Sequence, residues 1–481
     1  MPTYGKVTSA AIAELEKIVG AENVIRGEAI PEQYAYDAGT RNEGRRYPEV
    51  LVFPGNTQAV AEILKIANNR LIPVTPRGGG TGLAGGAVPL NGGIVLDLRR
   101  MNRIVHIDPV ARYMIVEPAV RTIDIQQAAS QHGLLYAGDP CSSDDCVIAG
   151  NIATNAGGNR AIKYGVTGDQ VYELEVVTPQ GEIVILGGRL KKNSTGYGLV
   201  KLIAGSEGTL GVITRVTIRL QKLASLLPNF LAIFPGLTTA ISFVGALLED
   251  TVIDPISIEL IDRQTVLDLE RYRQEKIFAD YTGDCLIIQL EAYTQEELHK
   301  KWDRLQTLCD THGCHSIYEI AGEKIWPARR AWGKAIEVEH PVGVSEDIVV
   351  PVDKIAAFVG QLEELTREFQ FQFRIAGHAG DGNMHVRIIP GEVPVGVWPA
   401  AVKKFREKLY TATYDLGGRL SGEHGIGLKR KEVLRTIIDP VELALMQAIK
   451  TAFDPNHILN PGKIFDMMSP ATSTADTAVL C

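Results

Sequence analysis

The sequence predicts an α+β protein of two or more domains, and three observations carry that prediction. Strand-like and helix-like stretches alternate from Tyr47 onward. A glycine-dense run, Pro76-Arg77-Gly78-Gly79-Gly80-Thr81-Gly82-Leu83-Ala84-Gly85-Gly86, interrupts the first of these alternations. The composition then shifts near Leu223-Ala-Ser-Leu-Leu-Pro228, and beyond it strands and helices alternate to about Leu416 in an order that suits an antiparallel sheet. With 481 residues, 45% hydrophobic and 22% charged, the chain can bury a real core and is not disordered at large. A net charge of −8 argues against nucleic acid as a main partner, because phosphate backbones select basic faces.

Taken in order, residues 1–45 read as a helical lead, with Ala11, Leu15 and Ile18 at helical spacing and Tyr34-Ala-Tyr36-Asp37 in a polar turn. This stretch lacks the basic-then-apolar order of a signal peptide. Val50 to Pro54 is a strand. Thr57 to Asn69 is a helix, capped by Thr57, with Val60, Ile63, Leu64 and Ala67 on one face. Leu71 to Thr75 reads as a buried strand feeding the glycine run. Six of the eleven residues from Pro76 to Gly86 are glycine, so the backbone there can turn tightly and aim successive N–H groups at a phosphate or pyrophosphate. A flexible linker is the competing reading, but Pro76, Arg77 and Thr81 and the apolar flanks do not suit one. Gly80-x-Gly82-x-x-Gly85 formally matches the dinucleotide fingerprint. That motif needs a helix after it, whereas Val88-Pro-Leu-Asn-Gly-Gly93 and then the strands Ile94–Leu98, Ile104–Ile107 and Tyr113–Glu117 follow. No Gly-Lys-Ser/Thr closes the run, so it is not a Walker loop either.

Thr122 to His132 forms a further amphipathic helix, leading into Gly138–Gly158, a segment rich in Gly, Asn, Ser and Thr. Such a segment suits a backbone passing close to a polar ligand, a surface loop being the alternative. Leu174–Val184 is a hairpin turning at Pro179-Gln180-Gly181, and Ser206-Glu-Gly-Thr-Leu-Gly-Val-Ile213 joins glycines to a strand. Past Pro228, strands and helices alternate at Leu231–Phe234, Leu237–Leu248, Ile256–Leu260, Leu286–Ala292 and Glu296–His312. In Arg374–Val386 a strand ends at His378, Gly380-Asp-Gly-Asn383 turns the chain, and a second strand begins near His385. Two imidazoles bracketing one turn can converge on a cation, and Glu423-His424 lies boxed among glycines in Ser421–Gly427. Two histidines and a glutamate would make a three-ligand site with an open position, as a catalytic metal requires. On pattern alone that reading stands level with ordinary core or surface histidines. The six cysteines fit neither a disulfide framework nor a zinc or iron–sulfur spacing, so the chain is expected to be cytoplasmic and reduced, reaching a membrane only through a partner. The most apolar run, Leu226–Leu237, is broken by Pro228 and Pro235 and is too short to span a bilayer.

The glycine run resembles the pyrophosphate loop of the FAD-linked oxidoreductases of the vanillyl-alcohol oxidase (PCMH) type. The nearest branch is that of D-lactate dehydrogenases and glycolate oxidase catalytic subunits, and the resemblance covers nearly the whole chain. It implies a PCMH-type FAD-binding domain of two α/β subdomains, then an α+β substrate domain on an antiparallel sheet, then a C-terminal segment that returns to the FAD domain. The expected divisions are a lead over 1–45, the FAD domain over 46–224, the substrate domain over 225–415, the returning segment over 416–467 and a disordered tail over 468–481. For the cofactor it implies contacts from Pro76, Arg77, Gly78, Gly79, Gly80, Thr81, Gly82, Gly85 and Gly86. Along the second loop it implies Pro140, Ser143, Gly150, Asn151, Asn155, Gly158, Tyr164 and Gly165, and further on Glu207, Gly211, Val212, Ile213 and Asn460. Some relatives tether the flavin through a histidine in the loop; here Thr81 offers no imidazole, so FAD is expected to bind non-covalently. Relatives read Gly-Tyr-Asp-Leu where this chain has Gly196-Tyr-Gly-Leu199, which removes any acid from position 198.

The same resemblance makes His378, His385 and Glu423 ligands of a divalent metal (zinc, iron or manganese) and His424 the catalytic base. It places Arg329 of Trp326-Pro-Ala-Arg329, with Asn383 and His424, on the substrate. The reaction it implies is oxidation of a small 2-hydroxy acid, D-lactate or glycolate, by hydride transfer to flavin. Relatives acting on a five-carbon diacid carry a threonine and a lysine beyond the arginine. The region Gly333–Ala335 through Val344–Asp347 lacks that pair, although a D-2-hydroxyglutarate-type enzyme stays an alternative. A metallohydrolase built on the His/His/Glu set and a non-catalytic flavin-binding subunit are the readings from other classes. Electrons would leave to an electron-transfer flavoprotein, an iron–sulfur subunit or a quinone, and any iron–sulfur centre would belong to that partner. Phe453–Lys463 resembles the family's closing motif, with His457 read as structural.

Overall fold

A computed structural model describes residues 3–277 and 283–467; the tail over 468–481 lies outside the described residues. The first sheet has the strand order Val24–Arg26, Val50–Val52, Ile94–Asp97, Val74–Arg77, and its inner pairs run parallel. A crossover helix, Thr57–Asn69, covers it and buries Val60, Ile63, Leu64 and Ala67, the face predicted from spacing. Its cap is Asn56, whose Oδ1 accepts from Ala59 N at 2.9 Å, not Thr57, whose hydroxyl instead donates to Glu175 at 2.6 Å. The strand expected from Leu71 begins only at Val74, because Leu71 takes a left-handed turn (φ 54°) after the helix. The lead over 1–45 is helical only at Ser9–Val19. Single 3-10 turns of three or four residues follow, and Val24–Arg26 joins the first sheet as an antiparallel edge.

A second sheet of five antiparallel strands follows, ordered Ile104–Asp108, Tyr113–Val116, Val212–Arg219, Val171–Val177, Ile183–Gly187. The third sheet holds seven strands, each pair antiparallel, in the order Ser316–Ile320, Asn229–Phe234, Asp284–Gln289, Ser257–Ile261, Gln372–His378, Asn383–Ile389, Val344–Val349.

Period-two alternation splits this third sheet into two faces. Phe230, Ala232, Phe234, Ile258, Leu260, Met384, Val386 and Ile348 pack toward the helices Leu237–Glu249, Ile355–Phe369 and Trp398–Asp415. Leu231, Ile233, Ile261, Ile287 and Ala376 pack on the opposite side with Ile325 and Ala328 of the helix Gly322–Glu339. Glu259, His378, His385 and Asp347 occupy alternate positions on that second face. The cross-strand register sets Glu259 opposite His378 and Asp347 opposite His385. Four polar side chains are thereby gathered under one helix.

The C-terminal segment runs back to the first sheet. Val74 N donates to Ile458 O at 2.8 Å and Asn460 N to Val74 O at 2.7 Å, while Ile458 and Leu459 enter the core beneath the sheet. Among the described residues no helix is long and apolar enough to cross a membrane.

Candidate active site

A cavity of about 740 Å³ lies where the glycine run, the second loop and the C-terminal segment meet, a volume suited to a large organic cofactor. Its floor is the glycine run. Gly80 there has φ +70°, and a Cβ would lie 2.3 Å from Nη2 of Arg77, so only glycine fits. The loop is held by its carbonyls: Gly80 O and Gly82 O accept from Ala38 N and Gly39 N at 3.0 Å each. Among the described residues no protein acceptor takes the N–H groups of Gly79, Gly80, Thr81 or Gly82. Those donors are left for a ligand's phosphate oxygens.

Pro76, Arg77, Gly78, Gly79, Gly80, Thr81, Gly82, Gly86, Pro140, Gly150, Asn151, Glu207, Gly211, Val212 and Ile213 line this cavity. The Arg77 guanidinium itself is committed elsewhere, donating to the carbonyls of Gln33, Tyr36 and Ala87. Gly85, Ser143, Asn155, Gly158, Tyr164, Gly165 and Asn460 do not line it. Several have structural employment instead. Asn155 turns left-handed and accepts from Gly168 N, Tyr164 donates to Glu291 at 2.6 Å, and Gly85 O accepts from Lys463 Nζ at 2.7 Å. Asn460 Nδ2 donates to Gly86 O and Glu207 O, tying the returning segment to the cradle.

At the far end of the same cavity stand Glu423 and His424. Glu423 Oε1 lies 3.5 Å from His378 Nε2, 3.3 Å from His385 Nε2 and 3.8 Å from His424 Nε2. His378 Nε2 is buried with no hydrogen-bond partner. Nitrogen and oxygen ligands each 2.0–2.2 Å from a tetrahedral ion would sit about 3.4 Å apart, so His378, His385 and Glu423 fit a shared divalent cation. Burial works against the charged form of Glu423, but the two imidazoles outweigh it and hold its pKa well below the carboxylate range. Burial likewise opposes a charged His378, yet Glu259 and Glu423 raise its pKa well above normal.

Asp347 organises the other side. Its Oδ2 accepts from Ser421 Oγ at 2.6 Å, Glu423 N at 3.0 Å and His424 N at 2.8 Å, so it sets the turn that presents Glu423 and His424. Asn383, expected on substrate, spends its amide donating to Asp347 Oδ1 at 2.8 Å and to Ile348 O. The His424 ring stacks on His385 with centroids 5.2 Å apart. Burial drives His424 down to about 4, against the pull of Asp347, so its imidazole is neutral at physiological pH.

Arg329 is fully buried on the helix over the sheet. Its Nε donates to Glu259 Oε2 at 2.8 Å, and Nη1 lies 3.9 Å from Sγ of Cys141, which lines the cavity. Nη2 is 2.7 Å from Glu259 Oε2 but off the line of a hydrogen bond, which leaves its N–H groups without an acceptor. A buried guanidinium with spare donors calls for an anion. Glu259, Asp347 and Cys141 were not singled out from the sequence. Glu259 does carry a signal there, a single acid between apolar residues in Ser257-Ile-Glu-Leu-Ile261.

Fold and site together define a flavoprotein oxidoreductase. Residues 48–187 match the FAD binding domain family, and residues 227–464 match the C-terminal domain of FAD linked oxidases. The D-lactate dehydrogenase of Anaerostipes hadrus is 34% identical over 470 residues, covering 96% of this chain and 98% of that protein. The glycolate oxidase subunit GlcD of Bacillus subtilis is 32% identical, covering 95% and 97%. Among solved structures, p-cresol methylhydroxylase with substrate bound superposes with a TM-score of 0.79 at 17% identity, covering 95% of this chain and 96% of that one; this similarity speaks to fold alone. The chain belongs to the family of FAD-linked oxidoreductases, with a PCMH-type FAD-binding fold. Family membership decides against the metallohydrolase reading.

Proposed function

We propose that the protein is an FAD- and divalent-metal-dependent dehydrogenase that oxidises a small D-2-hydroxy acid, D-lactate or glycolate, to the 2-oxo acid. One observation carries the reading: Glu423 of the His378/His385/Glu423 cluster, with His424 beside it, lines the same cavity as the glycine cradle. The names of the relatives, D-lactate dehydrogenase and glycolate oxidase subunit, supply the substrate class. When bound, FAD supplies the hydride acceptor and a divalent cation held by His378, His385 and Glu423 acidifies the substrate hydroxyl.

The chain's own residues do the rest. Arg329 offers Nη1 and Nη2 to the substrate carboxylate, an approach from a dry site where such a pair is strong. His424, neutral and facing the cluster through Nε2, takes the hydroxyl proton on that atom as the α-hydrogen leaves with its electron pair. Asp347 holds the His424 backbone in place through this transfer. Electrons then pass to an electron-transfer flavoprotein, an iron–sulfur subunit or a quinone; the word subunit in one relative's name favours a protein acceptor.

Anaerobic bleaching of the protein-bound flavin tests the reading. D-lactate or glycolate should bleach it, a chelator should stop the bleaching, and His424→Ala should abolish turnover with the flavin still bound. Bleaching that ignores both the chelator and the substitution would remove the metal and the base together.

A further inference from the structure

Glu259 takes no part in the chemistry above, yet it is wholly buried between two residues that do. Its Oε1 lies 2.7 Å from His378 Nδ1, and its Oε2 accepts from Arg329 Nε at 2.8 Å. The sheet ladder sets the first distance, because Glu259 and His378 are direct cross-strand partners. The helix Gly322–Glu339, which packs on that face, sets the second. A charged carboxylate placed beside Leu231, Ile233 and Ile287 is costly unless each oxygen is occupied, and here each is.

We propose that Glu259 is a positioning residue that couples the two halves of the site, aiming His378 at the metal with one oxygen and Arg329 at the substrate carboxylate with the other. This rests on the metal-dependent reading given above. An ionised carboxylate only accepts hydrogen bonds, so the Nδ1 that faces Oε1 carries the proton. The lone pair of His378 then lies on Nε2, the atom that faces Glu423 and has no partner of its own. On the other side, Oε2 sits against the Nε/Nη2 edge of Arg329, accepting from Nε at 2.8 Å with Nη2 at 2.7 Å. That choice leaves the Nη1 edge turned toward Cys141 and the cavity rather than into the sheet. One side chain thereby fixes a tautomer and a rotamer at once. A carboxylate present only to neutralise Arg329 would need neither the ladder position nor the contact with His378.

Glu259→Asp separates the two roles. It keeps the charge that Arg329 requires but withdraws the carboxylate by one C–C bond, about 1.5 Å, so it cannot reach both partners. The expected result is a folded, yellow protein with two coupled defects. Affinity of the metal-free protein for Zn²⁺, read by competition with a chromophoric chelator, falls 10- to 100-fold, on the order seen when a ligand histidine loses its orienting partner. KM for the hydroxy acid rises about 10-fold with a smaller change in kcat, as expected when a carboxylate clamp loosens. Zinc affinity and KM both within twofold of the unsubstituted protein would overturn the proposal. An unsubstituted protein that binds no zinc would instead sink the underlying metal reading. Should Glu259→Asp not fold, the pair Glu259→Gln/Arg329→Gln removes both charges together, and the same zinc competition decides.

Discussion

Glu207 accepts the backbone N–H of Gly427 at 2.8 Å, joining residues 220 positions apart in the chain. The other oxygen accepts from Ile426 N at 2.8 Å, so the turn carrying Glu423 and His424 is fastened to the wall of the flavin cavity. Burial drives the Glu207 pKa up to about 7, although the two N–H groups, Lys463 and Arg430 all favour the charged form. A carboxyl raised in the folded state binds more protons there than in the unfolded chain, so stability falls as pH rises from about 4.5 toward 7. Over that window the contribution is on the order of 3 kcal/mol. Glu207→Gln should remove this component, and denaturant midpoints measured from pH 4.5 to 8 should show a flatter profile for the variant. Parallel profiles would place the titration elsewhere.

Gly157 of the second loop packs directly against Glu423. A Cβ there would lie 2.8 Å from Glu423 Oε2 and 3.3 Å from its Cβ, so the carboxylate would have to swing away. On the proposed metal-dependent reading, Gly157→Ala should weaken binding of a divalent cation about 10-fold, as ligand misplacement does, and leave flavin content unchanged. Metal and flavin content of the purified variant check this directly.

What the sequence revealed followed the chain's local logic. His378 and His385 were legible because a glycine turn brackets them within one hairpin, and Glu423-His424 because glycines flank a short acid–base pair. Glu259 and Asp347 were not, because each finds its histidine across a strand pairing, and Glu259 lies 119 positions from His378. Glu259 leaves a trace, a single acid between apolar residues in Ser257-Ile-Glu-Leu-Ile261, whereas Asp347 sits beside Glu346 in Val344-Ser-Glu-Asp-Ile-Val349 and leaves none. Loop residues placed by resemblance alone divided. Gly150 and Asn151 reach the cavity, whereas Asn155 and Tyr164 are claimed by Gly168 and Glu291. A side chain's hydrogen-bond partner depends on which distant element arrives beside it, and local pattern carries no record of that.

Lys463 is buried with its Nζ donating to Gly85 O at 2.7 Å and Val88 O at 2.5 Å, and burial lowers its pKa to about 7. It therefore props the end of the glycine run from beneath. Lys463→Met keeps the bulk but orphans two carbonyls, at about 1–3 kcal/mol each, and lets that end relax. Flavin affinity, followed by fluorescence on titrating FAD into the apoprotein, should fall about 10-fold, with the His378/His385/Glu423 cluster unaffected.

Trp332 links the arginine to the His378/His385/Glu423 cluster from outside the hydrogen-bond network. Its ring stacks on His385 with centroids 5.7 Å apart, and the Arg329 guanidinium carbon lies 5.6 Å from its centroid. A cation over an indole in a dry site contributes about 0.5–2 kcal/mol, and here it also restrains the guanidinium plane of Arg329. Trp332→Ala removes that restraint and opens space beside His385. Loss of substrate positioning should raise KM about 10-fold. Trp332→Phe keeps a π face and should recover most of the loss, whereas Trp332→Leu keeps the bulk without the face and should not. If Leu restores KM as well as Phe does, the indole acts as filler rather than as a cation platform.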